Sequence, residues 1–178
     1  MADVSDASAE VAARAQQEAD EYRGDNPRPL GGYLVVMGAY GALLALAAVL
    51  AAVTGRRLPE GWRIQDLFTV TAGAHKLSRT LSKGAVTSPL RAPFTRYSGT
   101  GGPAEVMEES RETSDLRHSV GELLTCPFCL DVWVTTAFVI GLVFVPRFTR
   151  LVAGGFTALT GADFLHLAYA KAQQAVEG

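Results

Sequence analysis

The chain has no excess of charge of either sign: 16 Lys and Arg stand against 18 Asp and Glu in 178 residues. Wholesale nucleic-acid binding, which draws on a basic stripe, is thereby excluded. Also missing are a Gly-x-Ser-x-Gly elbow, a phosphate loop ending in Gly-Lys-Ser/Thr, and a His-Glu-x-x-His pair. Their absence removes the familiar hydrolase, nucleotide-binding and zinc-protease patterns. Gly99-Thr100-Gly101-Gly102 is glycine-rich but has no strand and helix around it, so Ser98 to Pro103 reads as a flexible joint. No internal repeat recurs, and the length suits one domain or a small bundle.

The scarcity of charge is concentrated in blocks. Between Arg28 and Arg56 no charged residue occurs, and Leu30 to Val53 supplies 24 mostly apolar residues. As a helix this is about 36 Å long, enough for a hydrocarbon core of roughly 30 Å. A cleaved secretory signal is the poorer reading, because 29 polar residues with seven acids precede the block and no basic region starts the chain. A second apolar stretch, Cys126 to Val145, is interrupted by Asp131, and a third runs from Leu151 to Tyr169. The short basic turn Pro146-Arg147-Phe148-Thr149-Arg150 between them predicts an antiparallel helical hairpin over 126–170. Residues 61–82 are the ambiguous segment: Leu67 to Ala74 is uncharged, yet Asp66, His75, Lys76 and Arg79 fall within the length a span needs. This segment crosses the bilayer or lies at its interface. The expected fold is an all-α, multi-pass transmembrane helical bundle with four spans, a polar loop at 83–125 and tails at 1–29 and 171–178.

Counting Lys and Arg orients the chain. With four spans and the N-terminus inside, the inner face holds eleven basic residues against five; with three spans and the N-terminus outside, the division is again eleven against five. Both arrangements place the loop 83–125 and the C-terminus in the cytoplasm and the protein in the cell (inner) membrane. Four spans with an inner tail is the favoured arrangement. In that tail, Ser8 to Tyr22 sets Val11, Ala15, Ala19 and Tyr22 at helical spacing, so a partner-binding helix is the alternative to a frayed end. Small residues four apart (Gly38 and Ala42, Gly41 and Ala45, Gly154 and Ala158) suit a compact bundle.

The loop divides by charge. Lys76 to Ala104 has five basic residues and no acid, whereas Glu105 to Glu122 has six acids and two Arg. The basic half suits anionic headgroups or enforces topology. In the acidic half, Val106, Met107, Leu116, Val120, Leu123 and Leu124 are expected to line one amphipathic helix.

Three groups of residues bear on chemistry. Both cysteines lie in Cys126-Pro127-Phe128-Cys129, where the polar loop becomes an apolar helix. With Cys126 near the cap and Pro127 at the first helical position, the thiols face the positive end of the helix dipole, as a dithiol redox site requires. The pair resembles a glutaredoxin tetrad over those four residues only. Cys-x-x-Cys also supplies two ligands of a tetrahedral zinc site, which His75, His118 or His166 would complete. Packing at the helix start is the plainest use, metal the second and redox the third. Asp163 and His166 lie three apart in the last apolar segment, a spacing at which a carboxylate fixes an imidazole tautomer. A proton pathway and a helix-locking hydrogen bond both fit. By depth, Asp131, Asp163 and His166 are expected to face the bundle, paired with Lys76 or Arg79 at the level of His75.

Four blocks then occur in order: Ala74-His75-Lys76-Leu77-Ser78-Arg79, Val86-Thr87-Ser88-Pro89-Leu90-Arg91-Ala92-Pro93-Phe94-Thr95, Gly121-Glu122-Leu123-Leu124-Thr125-Cys126-Pro127-Phe128-Cys129, and Asp163-Phe164-Leu165-His166-Leu167-Ala168-Tyr169. Over roughly Gly61 to Tyr169 the chain resembles a family of small bacterial membrane proteins catalogued as domain of unknown function 1360, some of them labelled sporulation proteins. The resemblance implies membrane embedding and, as functional positions, His75, Arg79, Arg91, Cys126, Cys129, Asp163 and His166; it implies no reaction. The expected function is a non-enzymatic anchor or adaptor that holds a cytoplasmic partner or membrane assembly through the N-terminal tail or the 83–125 loop, as a single chain or a homo-oligomer. The alternatives are a thiol-redox or zinc protein built on Cys126, Cys129 and His166, and a subunit of a small transporter or proton pathway.

Overall fold

Residues 2–26 and 28–177 are described in the computed structural model; Met1, Pro27 and Gly178 lie outside them. Among the described residues the elements are, in order, α1 (Ala2–Arg23), α2 (Leu30–Val53), α3 (Ile64–Lys83), α4 (Ser88–Arg91), β1 (Thr95–Thr100), β2 (Val106–Ser110), α5 (Asp115–Thr125), α6 (Pro127–Phe144) and α7 (Pro146–Glu177). α2 holds no charge and no proline, and the chain leaves it through Thr54 and Gly55, whose φ of 64° favours glycine. α6 begins at a proline in its first turn, where the missing N–H removes no helical bond. Pro146 ends α6 and opens α7, so the two are joined through Val145 alone. α7 continues past the apolar run to Glu177.

The core joins α3, α6 and α7 through Val70, Ala74, Leu130, Val134, Phe138 and Ala153. α3 contributes a ridge of residues three or four apart: Asp66, Val70, Gly73, Ala74, Ser78 and Ser82 are all buried. Gly73 lets the backbones of α3 and α7 touch, because a Cβ there would lie 2.7 Å from the Ala153 carbonyl oxygen. Beside it, the Thr157 and Thr160 hydroxyls donate to the carbonyls of Thr69 (2.9 Å) and Ala72 (3.0 Å). Asp66 pairs with Arg150 and Lys76 with Asp163. These contacts advance together along both helices, so α3 and α7 run in the same direction. α2 lies against α5 at its start, where Gly32 leaves no room for a Cβ beside the Asp115 carbonyl. Further along, α2 meets α6: the Tyr40 hydroxyl is 2.8 Å from Thr136 Oγ1, and its ring stands edge-on to Trp133 with centroids 5.2 Å apart. α2 and α6 therefore share a direction opposite to that of α3 and α7. One end of the bundle carries the 84–125 connection; the other carries the link 54–63 and the α6–α7 turn.

The chain is mostly helical, and the all-helical expectation is corrected at that connection. Residues expected to form a flexible joint and the start of an amphipathic helix instead form an antiparallel hairpin, β1 against β2, with a register shift between Tyr97 and Gly99. The turn holds Ala104 at φ 61°, and Gly101 lies close to Glu105, where a Cβ would come within 3.1 Å of the Glu105 Cβ. The amphipathic helix is restricted to α5, capped by Ser114.

α2, α6 and α7 are each long and apolar enough to cross a membrane. Their large side chains point outward: Val53 is 80% exposed, Leu151 74% and Leu34 68%. An apolar surface this continuous is a liability in water and the ordinary outer face of a protein in lipid.

Candidate functional site

The connection is held to the bundle by one buried cation. Arg91 is 1% exposed, and each of its five N–H groups has an acceptor. Nε and Nη2 grip the Glu108 carboxylate at 2.8 and 2.9 Å; Nη1 donates to the Leu81 carbonyl and to Thr87 Oγ1; Nη2 also donates to the Gly84 carbonyl at 3.0 Å. The carbonyls belong to the last turn of α3 and its cap, which helical geometry leaves without donors. Glu108 is also 2.9 Å from the Thr95 hydroxyl. α4, the hairpin and the end of α3 are thus tied at a single point. Arg79 adds a forked pair to Glu105 at 2.7 and 2.9 Å, and α5 closes over the hairpin at Gly121, where a Cβ would lie 2.7 Å from the Phe94 carbonyl oxygen.

The convergence expected from depth is partly present. Lys76 and Asp163 pair, and Arg79 is engaged by Glu105 rather than by an aspartate of α6 or α7. His166 does not join them: from Asp163 to Glu177 every described residue of α7 is exposed. His75 is exposed on the outer side of α3. Asp131 is half-buried, and its Oδ1 is buried without a hydrogen-bond partner.

Cys126 occupies the cap of α6, its Sγ accepting from the Cys129 N–H at 3.2 Å, with Pro127 next in the chain. Both thiols are free; Cys126 is half-buried and Cys129 exposed. Among the described residues no group of three His, Cys, Asp or Glu side chains gathers to hold a metal ion. If Cys126 serves as a helix cap and neither thiol holds a metal, alkylation of the native protein is expected to proceed at rates a chelator leaves unchanged. Acceleration by chelator would instead reveal a bound metal.

Sequence reasoning missed a polar node beside these thiols. Glu122 accepts from the Tyr33 hydroxyl and lies 3.3 Å from Arg28 Nη1 and 3.4 Å from His118 Nε2. It pins the start of α2 to α5. Local spacing offered only its His118 arm, one helical turn from Glu122, since Tyr33 and Arg28 lie about 90 residues away, whereas the Arg79–Glu105 pair was at least implied by the charge division of the loop.

The surface so built is a folded, mixed-charge platform with its internal charges paired. The chain belongs to the family described as "Protein of unknown function (DUF1360)", whose model matches residues 69–169. That range spans α3 from Thr69, the connection with its Arg91 node, and the α6–α7 pair. No curated protein and no solved structure matches the chain.

Proposed function

We propose that this chain is an integral protein of the cell membrane whose α2, α3, α6 and α7 all cross the bilayer, with both termini and the 84–125 platform in the cytoplasm. It works without chemistry of its own, as an anchor that presents the platform to a cytoplasmic protein. The distribution of Lys and Arg, eleven at the platform end against five at the other, supports that orientation. α3 is less apolar than its neighbours, but its Asp66 and Lys76 are paired with charges of α7, which lowers the cost of placing them at membrane depth.

The Arg91 node carries the functional reading. A connection that served only to join two spans would have no use for a fully bonded buried guanidinium. Here the node fixes the hairpin and leaves Tyr97 (65% exposed) and Met107 (46%) facing outward. An ordered surface with outward aromatic and thioether side chains suits protein recognition.

A photo-crosslinking amino acid placed at Tyr97 or Met107 in cells is expected to give a discrete protein adduct, whereas the same group at Phe148, at the opposite end, gives none. An adduct of twice the chain mass would make the partner a second copy. Absence of adducts from both hairpin positions, with normal expression, would remove the anchor reading.

A further inference from the structure

The end of the bundle remote from the hairpin holds a constellation that anchoring does not use. A cavity of about 540 Å³ lies between the link 54–63, the start of α3 and the α6–α7 turn. Leu58, Trp62, Leu142 and Val143 wall it, and Arg57, Arg63 and Arg150 rim it. A second cleft of about 390 Å³ runs between α2 and α6; it shares Leu58, Val139 and Val143 with the first and has Arg56 at its mouth. The two adjoin at Leu58, Val139 and Val143, so an apolar surface along α2 and α6 lies next to a cluster of guanidinium groups.

The charges there are unbalanced. Arg150 is neutralised by Asp66 through two contacts of 2.8 Å. Arg56 and Arg57 make no salt bridge within 4 Å among the described residues, Arg63 acts on Asp66 only at longer range, and the link contains one acid, Glu60, against these three. In the proposed orientation these arginines lie on the outer face, where the topology rule disfavours them. Something other than topology therefore accounts for their position. Trp62 stands beside them, just before α3, at the headgroup depth such rings prefer.

We infer that this groove holds one anionic phospholipid of the surrounding bilayer, its phosphate between Arg57 and Arg63 and its acyl chains along the α2–α6 cleft. The occupant follows from complementarity at both ends. Free phosphate would satisfy the guanidinium groups and leave the apolar walls of Leu58 and Val143 unused. An apolar helix of another protein would fill the walls and strand the charges. Only an anion with acyl chains meets both. The inference rests on the membrane reading above.

The test uses the full chain in lipid nanodiscs. Trp133→Phe leaves Trp62 as the single tryptophan and preserves an aromatic edge against Tyr40. Brominated phosphatidylglycerol is expected to quench Trp62 more strongly than brominated phosphatidylcholine at equal mole fraction. The preference should fall by roughly tenfold or more in the Arg57→Gln/Arg63→Gln double variant and persist in Arg57→Lys/Arg63→Lys. Equal quenching by the two lipids, or a preference untouched by the Gln pair, would overturn the site while leaving membrane insertion intact. A chain that stays soluble without detergent and enters no bilayer would overturn the membrane reading as well.

Discussion

Arg91→Met in the full chain is expected to lower folding stability by about 3–5 kcal/mol, the usual consequence of removing one member of a buried ion pair. The loss has two sources. Glu108, whose side chain is 6% exposed, keeps its charge with only the Thr95 hydroxyl donating to it, and the Leu81 carbonyl loses its donor while that of Gly84 loses one of two. Arg91→Lys is expected to rescue little, because an ammonium cannot grip both carboxylate oxygens while reaching two carbonyls and a hydroxyl. Glu108→Leu added to Arg91→Met should recover part of the loss, since it removes the stranded charge but leaves the Leu81 carbonyl unmet. Hydrogen exchange separates this from global unfolding. Protection should disappear over 95–110 and the last turn of α3 while α6 and α7 remain protected. Unchanged protection of the hairpin in Arg91→Met would mean that the node does not hold the platform.

That node also marks the limit of what the sequence discloses. α2 and the α6–α7 pair were legible because a nearly uncharged run of 18 or more residues has few other uses, and because Pro146 with its basic neighbours can only turn the chain. Cys126 was legible as a cap because a proline follows it. The hairpin was not. Its strands are short and its alternation weak, with Arg96, Glu108 and Glu109 among few apolar residues. The glycines at 99, 101 and 102, at and beside its turn, look like those of a flexible joint. A hairpin signal was nevertheless present, in a Gly-rich turn flanked by Thr95, Tyr97 and Val106. Arg91 was reached through family resemblance, and its partner could not be, because Glu108 lies 17 positions away and meets it only once the hairpin folds. His75 and His166 were grouped with Lys76 by depth along the chain. Depth fixes height in the bundle and leaves open which side of the helix a residue takes, and both histidines took the outer side.

The same distinction explains α3. Its hydropathy is ambiguous because the residues that face α7 and α6 are small or polar, not because the helix is exposed on all sides. Lipid gives helices no hydrophobic reason to associate, so contact depends on close packing and interhelical hydrogen bonds. Gly73 against Ala153 provides the first, Thr157 and Thr160 the second. Gly73→Leu is therefore expected to destabilise by about 2–4 kcal/mol, combining overpacking with the loss of two hydroxyl bonds. Gly73→Ala already places a Cβ 2.7 Å from a backbone oxygen that has no rotamer with which to retreat, so it should show a smaller loss in the same direction. A cysteine pair introduced by Thr69→Cys and Thr157→Cys, in a chain with Cys126 and Cys129 changed to Ser, reads the geometry directly. It should cross-link efficiently with Gly73 in place and poorly when Gly73→Leu is added. Because position 69 also lies well inside α3, cross-linking in intact cells together with labelling of the 54–63 link only from outside would require α3 to cross the bilayer. A Gly73→Leu chain that melts and cross-links like the parent would detach α3 from α7, and with it the means by which so polar a helix could lie within the membrane.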